Sequence, residues 1–573
     1  MPDQKLSIKD SVNQLKAISL QTGREIDLQK MALLRQLIEK PPRKPTEIVV
    51  YHDCLLAMRA YPTSREIYQS TCKALESLNL LLSKISNGNN YRQQYALSGT
   101  GVSGSTITGS FSFEIAKWLV HEFPGDVEME SSKADAESVR LFFREILPGT
   151  EYENIFAGEL NLVKRTQKLK GKSPGTLLNW LIQHIDDLPI PDRDKESIFH
   201  NLQIFISWRL THPFFNRTML QTDVNRIFYH KEIKKKADIN KLINSKLPAA
   251  SRLTEGKKYQ LISAARSTLV FLHRETEPFT HADPVEITCF ELDRALTVVL
   301  YGMSKGRRLS IESYIGYFAF KNGIPVAYGG GWIFGQRCQF GINILSPFRG
   351  GESSQLFYQL LRVYKQRFGA NRFVVKPYQF GKDNKEALES GAFWFYYRAG
   401  FRPADATLKQ LASQEWEKIG KDRLYRTPIA LLKKFTVSNL EVQFTQNAFP
   451  LYDASSLSTS ITNFINDQFK GKRNLAFSVC TRKTKKELGI KSLNGWNEYE
   501  RKALKEWSLV SQALLNINKW TTRQKERLVQ QIKAKGNWPE IRFIQKLQHN
   551  YRFWKDIDQL LMNTYNSGKL KKH

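Results

Sequence analysis

The strongest constraint on this chain is a hairpin signal, Lys321-Asn322-Gly323, set between two long apolar runs. Asn-Gly tolerates the positive φ of a type I′ turn, whose twist matches that of paired antiparallel strands. Tyr314 to Phe320 and Ile324 to Phe334 are therefore predicted to pair. The same texture continues on both sides. Upstream, Glu286 to Leu292 reads as a strand, Asp293-Arg294 turns, and Ala295 to Leu300 is apolar and β-branched. Downstream, Gly335-Gln336 turns into Arg337 to Leu345. The spacing predicts an antiparallel meander. Gly329-Gly330-Gly331 lies inside one of its strands, where glycine gives up side-chain packing and marks a bulge or a close approach.

Ser346-Pro347-Phe348-Arg349-Gly350-Gly351 ends the last strand, and Glu352-Ser353-Ser354 opens an amphipathic helix. Leu356, Phe357, Leu360, Leu361, Val363 and Tyr364 follow the helical period, and Gly369 is placed to end it. Glycines beside a helix N-terminus allow close backbone approach, and free N–H groups with the helix dipole attract phosphate. Arg372 to Val375 is a short strand. Asn384 to Ala399 reads as one helix, aromatic along Phe393, Trp394, Phe395, Tyr396 and Tyr397, and is followed by Gly400-Phe401-Arg402-Pro403.

This order of hairpin, strand, basic glycine loop, helix, strand, helix and Gly-Phe resembles the N-acetyltransferase (GNAT) superfamily over roughly residues 286–405, under a quarter of the chain. The resemblance implies an acyltransferase that uses acetyl-CoA or another acyl-CoA. By that resemblance Arg349, Gly350, Gly351, Ser353 and Ser354 would hold the pyrophosphate, and the backbone around Ile342, Asn343 and Ile344 would line the pantetheine. Phe395-Tyr396, Gly400-Phe401 and Ala392 match the family's second signature, and Tyr396 takes the place of the general acid that protonates the leaving thiolate. Asn384 would cap its helix or reach the pantetheine arm. The sequence departs from the family at Glu352, where glycine is preferred, and at Glu389, where asparagine is. A carboxylate beside a pyrophosphate costs electrostatic energy unless it points away; otherwise Glu352 would cap the helix. The two helices usual between the first two strands are also missing, since only Ser304 to Ser313 intervene. Either the first strand lies near Leu269 to His273, or flanking regions build the acceptor site.

The reading as a whole is an α+β multidomain protein. Residues 1–255 form a mainly helical region of one or two subdomains, 256–436 the acyltransferase-like unit with a mixed, largely antiparallel sheet, and 437–573 a basic helical domain. Leu33, Leu34, Leu37 and Ile38, and again Ile198, Leu202, Phe205 and Ile206, carry helical spacing. Lys40 to Pro45 is a loop, and Ser98 to Ser110 a flexible turn; Ser98 to Ser110 lacks the Lys-Ser/Thr ending of a P-loop, and Gly171-Lys172-Ser173 lacks its first glycine.

Net charge is +31, and residues 451–573 contribute 24 basic against 10 acidic side chains. Such blocks favour polyanions, so nucleic acid is a candidate partner of the C-terminal region, where Trp496, Trp507, Trp520, Trp538 and Trp554 fall among lysines; their helical spacing favours a bundle core. The five cysteines are scattered without a CxxC pair and the ten histidines show no ligand spacing, which fits a reducing cytoplasm and no metal. No apolar stretch reaches the length of a membrane span, and the first twenty residues are polar, so no membrane insertion is expected. His273, Glu275, Glu277 and His281 could supply a base, although Pro278 and Pro284 mark a polar loop, and Cys338 reads as a buried apolar cysteine. The expected function is direct acyl transfer from acyl-CoA to an amine acceptor. The alternative is a nucleic-acid-binding or scaffold protein with an inactive acyltransferase-like module.

Overall fold

The computed structural model describes residues 6–155, 161–235, 238–422, 424–445 and 452–570. The chain is α+β, with a three-stranded and an eight-stranded sheet. Four helices come first: α1 (Ile8–Ile18), α2 (Arg24–Glu39), α3 (Pro45–Ala60) and α4 (Arg65–Ser86). In α3 Ile48, Tyr51, Cys54, Leu55, Leu56 and Met58 are all buried, so apolar residues surround its axis and it packs as an interior helix. Its neighbours include the central sheet, and α1–α4 share one continuous core with that sheet.

Residues 106–210 hold a second core around β1 (Thr106–Gly109), β2 (Val127–Ser132) and β3 (Ile204–Arg209), in the order β1-β3-β2. The helical reading of Ile198 to Ile206 is corrected here. A helix ends at Asn201, and Ile204, Ile206 and Trp208 then point inward at a period of two. The 3–4 spacing of Ile198, Leu202 and Phe205 was shared between two elements.

A long helix, α5 (Glu255–Phe271), leads into the central sheet, so Leu269–His273 ends a helix and supplies no strand. The predicted meander follows as β4 (Thr288–Leu292), β5 (Leu296–Tyr301), β6 (Ser313–Lys321), β7 (Ile324–Phe334) and β8 (Arg337–Ile344), each antiparallel to the next. Asn322 and Gly323 adopt φ of 47° and 79°, as the turn requires. A Cβ at Gly323 would stand 2.2 Å from the Thr222 carbonyl, and Asn322 Nδ2 donates to the carbonyls of Ala60 (3.0 Å) and Phe228 (3.1 Å). The hairpin tip is thus embedded in the N-terminal region. The three glycines of β7 make room for rings: Cβ atoms there would meet Tyr317 Oη at 2.5 Å, Tyr314 at 2.6 Å and Tyr364 at 2.6 Å.

Beyond β8 come α6 (Ser353–Phe368), β9 (Arg372–Val375), α7 (Lys385–Glu389), α8 (Ala392–Arg398) and β10 (Arg402–Pro403). The single helix expected over Asn384–Ala399 is therefore two, broken at Gly391. The sheet is completed by β11 (Leu440–Gln443), which lies past residue 436, giving the order β10-β11-β9-β8-β7-β6-β5-β4. Helix α5 covers one face, and α6 with the N-terminal helices covers the other.

Of the C-terminal helices, α9 (Arg473–Glu487) packs Ala476 and Cys480 with Ile465 and Leu509 in a small cluster, and α10 (Glu498–Leu514) helps build a larger core with Phe334 of β7. Trp496, Trp507, Trp520 and Trp554 are buried in or against it, so they form packing and no stacking platform. Gly335, at φ 59°, lies under Trp554, and a Cβ there would come within 2.5 Å of the indole. Gly335→Ala should therefore destabilise the fold by about 2–4 kcal/mol, from overpacking plus a left-handed backbone. Gly420→Ala, on a helix with open space around it, should be neutral or stabilising. Calorimetric melts of the two variants check this, and equal melting temperatures would contradict it.

Candidate active site

Strands β8 and β9 run parallel but pair only over Arg337–Gln339 and Arg372–Val374. Pro377 then opens a short 3₁₀ turn, Pro377–Phe380, because it cannot donate to a ladder. From Phe340 onward β8 keeps β7 as its only strand neighbour. β9 stops at Val375 while β8 runs on to Ile344, which leaves a gap in the sheet beside the C-terminal half of β8, the end at which open α/β sheets hold ligands.

Three polar side chains converge on Gly341 in this gap. Tyr317 Oη donates to the Gly341 carbonyl at 2.9 Å. Gln379 covers the residue so closely that its Nε2 would lie 3.3 Å from a Cβ there. Tyr396 Oη donates to Gln379 Oε1 at 3.4 Å. Burial raises the pKa of both phenols above the ordinary tyrosine range, which keeps them protonated as donors. Tyr396 is 2% exposed, packed on Phe357 and Phe401. Of the β8 edge, Ile342 is buried, Ile344 half-buried and Asn343 exposed.

The loop that ends β8 closes the gap. Arg349, whose side chain is 52% exposed, donates from Nε to the Ile344 carbonyl at 3.1 Å and pairs with Glu386 of α7. Gly350 faces open space, whereas Gly351 lies against the Tyr61 ring, 3.0 Å from where a Cβ would be. Glu352 occupies the N-cap position of α6 but makes no cap bond. Its side chain turns inward and is 0% exposed, bonded to Lys321 Nζ at 2.7 Å, Arg294 Nε at 2.8 Å and the Lys234 amide at 3.2 Å. Burial alone would raise this carboxyl; the charge of Lys321 and the bonds from Arg294 and Lys321 outweigh it and hold the pKa at about 2. The carboxylate is thus removed from the helix N-terminus, and Ser353 and Ser354 sit half-buried in an uncapped first turn.

Asn384 is the cap of α7: its Oδ1 accepts from the Ala387 amide and its Nδ2 donates to the Tyr378 carbonyl, both at 3.1 Å. It ties the turn after β9 to α7. The histidine and glutamate cluster lies after α5. Glu275 accepts from the Ser112 amide at 2.9 Å, and His281 is lowered to about 4 by burial and the charges of Arg307 and Arg266. Tyr328 of β7 is buried and stands opposite Asn343 of β8 in the sheet. Cys338 is fully buried, and burial pushes its thiol up, which excludes a ready thiolate. Among the described residues no group of three or more His, Cys, Asp or Glu is placed to hold a metal ion, and no helix is long and apolar enough to cross a membrane.

Gln379 and Tyr317 were invisible as site residues in the sequence, since neither belongs to a spaced motif. Their role follows only from where β9 ends relative to β8. No family model, no curated protein and no solved structure matches the chain.

Proposed function

We propose that the chain is an acyl-CoA-dependent N-acyltransferase of the GNAT type, transferring an acyl group directly to an amine. The observation that carries this reading is the parallel β8–β9 pair that parts after three residue pairs. The Gly341 cluster lies on the part of β8 that β9 leaves unpaired, and the loop after that strand leads to an uncapped helix N-terminus. The residues fit the co-substrate. The first turn of α6 offers amides and a positive dipole end, Gly350 leaves room for a phosphate, and Arg349, half exposed, would exchange its pairing with Glu386 for the phosphate. The inward turn of Glu352 removes the charge that would repel it. Bound acyl-CoA would supply the activated thioester: the amine forms the new C–N bond as C–S breaks. In this reading Tyr396 gives a proton to the departing sulfur, and its bond to Gln379 would orient the phenol. Tyr328, on the sheet face covered by α5, and its register partner Asn343 would border the acceptor.

Titration calorimetry with acetyl-CoA and longer acyl-CoAs tests the reading, alongside thiol release in the presence of amines. Arg349→Glu should weaken acyl-CoA binding about 10–100-fold, the worth of a charge-assisted bond replaced by repulsion. Equal affinity in parent and variant would remove the loop from the site. No heat with any acyl-CoA would leave the module as a scaffold.

A further inference from the structure

Four of the 24 basic side chains in residues 451–573 share one groove. Arg482 and Lys485 are one turn apart on α9, and Arg501 and Lys505 are one turn apart on α10. These four line an open groove of about 650 Å³ whose wall contains Phe477 and no acidic side chain. Among the described residues none of the four has a carboxylate within ion-pair distance; Arg501 donates only to the Leu493 carbonyl at 3.4 Å. Lys483, by contrast, pairs with Glu487 one turn along the same helix, at 4.0 Å. Four unpaired like charges in a concave surface repel one another and raise the local potential until a polyanion neutralises them.

The geometry points to a binding groove for the backbone of single-stranded nucleic acid between α9 and α10. Neighbouring packed helices have axes about 8–10 Å apart, a furrow that admits one strand and not a double helix. Phe477 is half-buried, with Lys505 Nζ 4.8 Å above its ring, so one residue pair offers a stacking face beside a cation. A duplex keeps its base faces inside the stack and gives such a ring nothing to meet. The region's tryptophans do not compete for this role, because four of the five are buried.

Fluorescence anisotropy of a labelled oligothymidylate of about 12 nucleotides, added to the full chain, tests the groove. Four phosphate contacts at roughly 0.7 each give an expected slope of log K against log salt of about −3. Neutralising the groove with Arg482→Gln, Lys485→Gln, Arg501→Gln and Lys505→Gln together should weaken binding at least about tenfold and flatten that slope. Phe477→Leu keeps an apolar side chain and should weaken binding about tenfold with the slope unchanged. Arg523→Gln with Arg527→Gln, exposed on the neighbouring helix, should bind as the parent does. Circular dichroism confirms that each variant is folded. Equal affinity of parent and groove variant overturns the proposal, as does an equal loss at Arg523 and Arg527. A duplex bound as tightly as the single strand, or polyglutamate displacing the oligonucleotide charge for charge, would also overturn it, in favour of general polyanion attraction.

Discussion

Tyr396→Phe is expected to lower turnover with acyl-CoA and an amine by roughly 10²–10⁴-fold, the usual worth of a general acid. Melting temperature and acyl-CoA affinity should stay close to those of the parent chain. The ring of Tyr396 packs on Phe357 and Phe401 at centroid distances of 5.6 and 5.9 Å, and phenylalanine keeps those contacts. Only the hydroxyl is lost, with its 3.4 Å bond to Gln379. Because burial raises the phenol's pKa, Tyr396 stays protonated at neutral pH, and its titration should not enter the rate profile below about pH 10. A hydroxyl that merely satisfies Gln379 behaves differently: its removal costs about 1 kcal/mol of stability and leaves turnover intact. Tyr397→Phe is the control, since its ring lies 3.7 Å from the Arg402 guanidinium and faces away from the gap. A larger rate loss at Tyr397 would shift the register of the Gly400-Phe401 signature by one residue. No loss at either position would make this helix core alone.

What the sequence disclosed here was local. The Asn322-Gly323 turn announces itself through the backbone angles those two residues accept, and α6 through the period of Leu356, Leu360 and Leu361. The site was legible only as far as its loop. Arg349, Gly350 and Gly351 follow the end of β8, and the Tyr396 hydroxyl bonds to Gln379. The gap itself arises because Pro377 stops β9 while β8 continues, a relation between strands that no window of sequence contains. Gln379 becomes a site residue for that reason alone. Similarly, Ile204–Arg209 passed for helix because its inward residues continue the spacing of the helix before it. Most of α3 is buried, against its neighbouring helices and the central sheet together, a contact across regions that no local pattern announces.

Glu352 shows how far a long-range contact can reverse a local expectation. As a lone carboxylate beside a phosphate loop it is a liability, and Glu352→Gly would then leave binding unchanged or improve it. In the folded chain its partners come from 31 and 58 residues away, Lys321 and Arg294, and both would lose their counter-charge in the interior. Glu352→Ala should therefore cost about 3–5 kcal/mol, the penalty for stranding buried charge, and loosen the loop it anchors. The pH dependence has a fixed sign. The carboxyl moves from 4.5 to about 2 on folding, so its contribution is whole above pH 4.5 and disappears as pH falls through 2. That shift corresponds to about 3 kcal/mol, close to the substitution penalty. Urea unfolding at neutral pH should show the full gap between parent and Glu352→Gln, and the gap should narrow steadily toward pH 2. A gap that stays constant across this range would mean that packing, and not charge, holds Glu352 in place. A variant as stable as the parent at neutral pH would dissolve the cluster as an anchor, and with it the reason the carboxylate leaves the helix N-terminus bare.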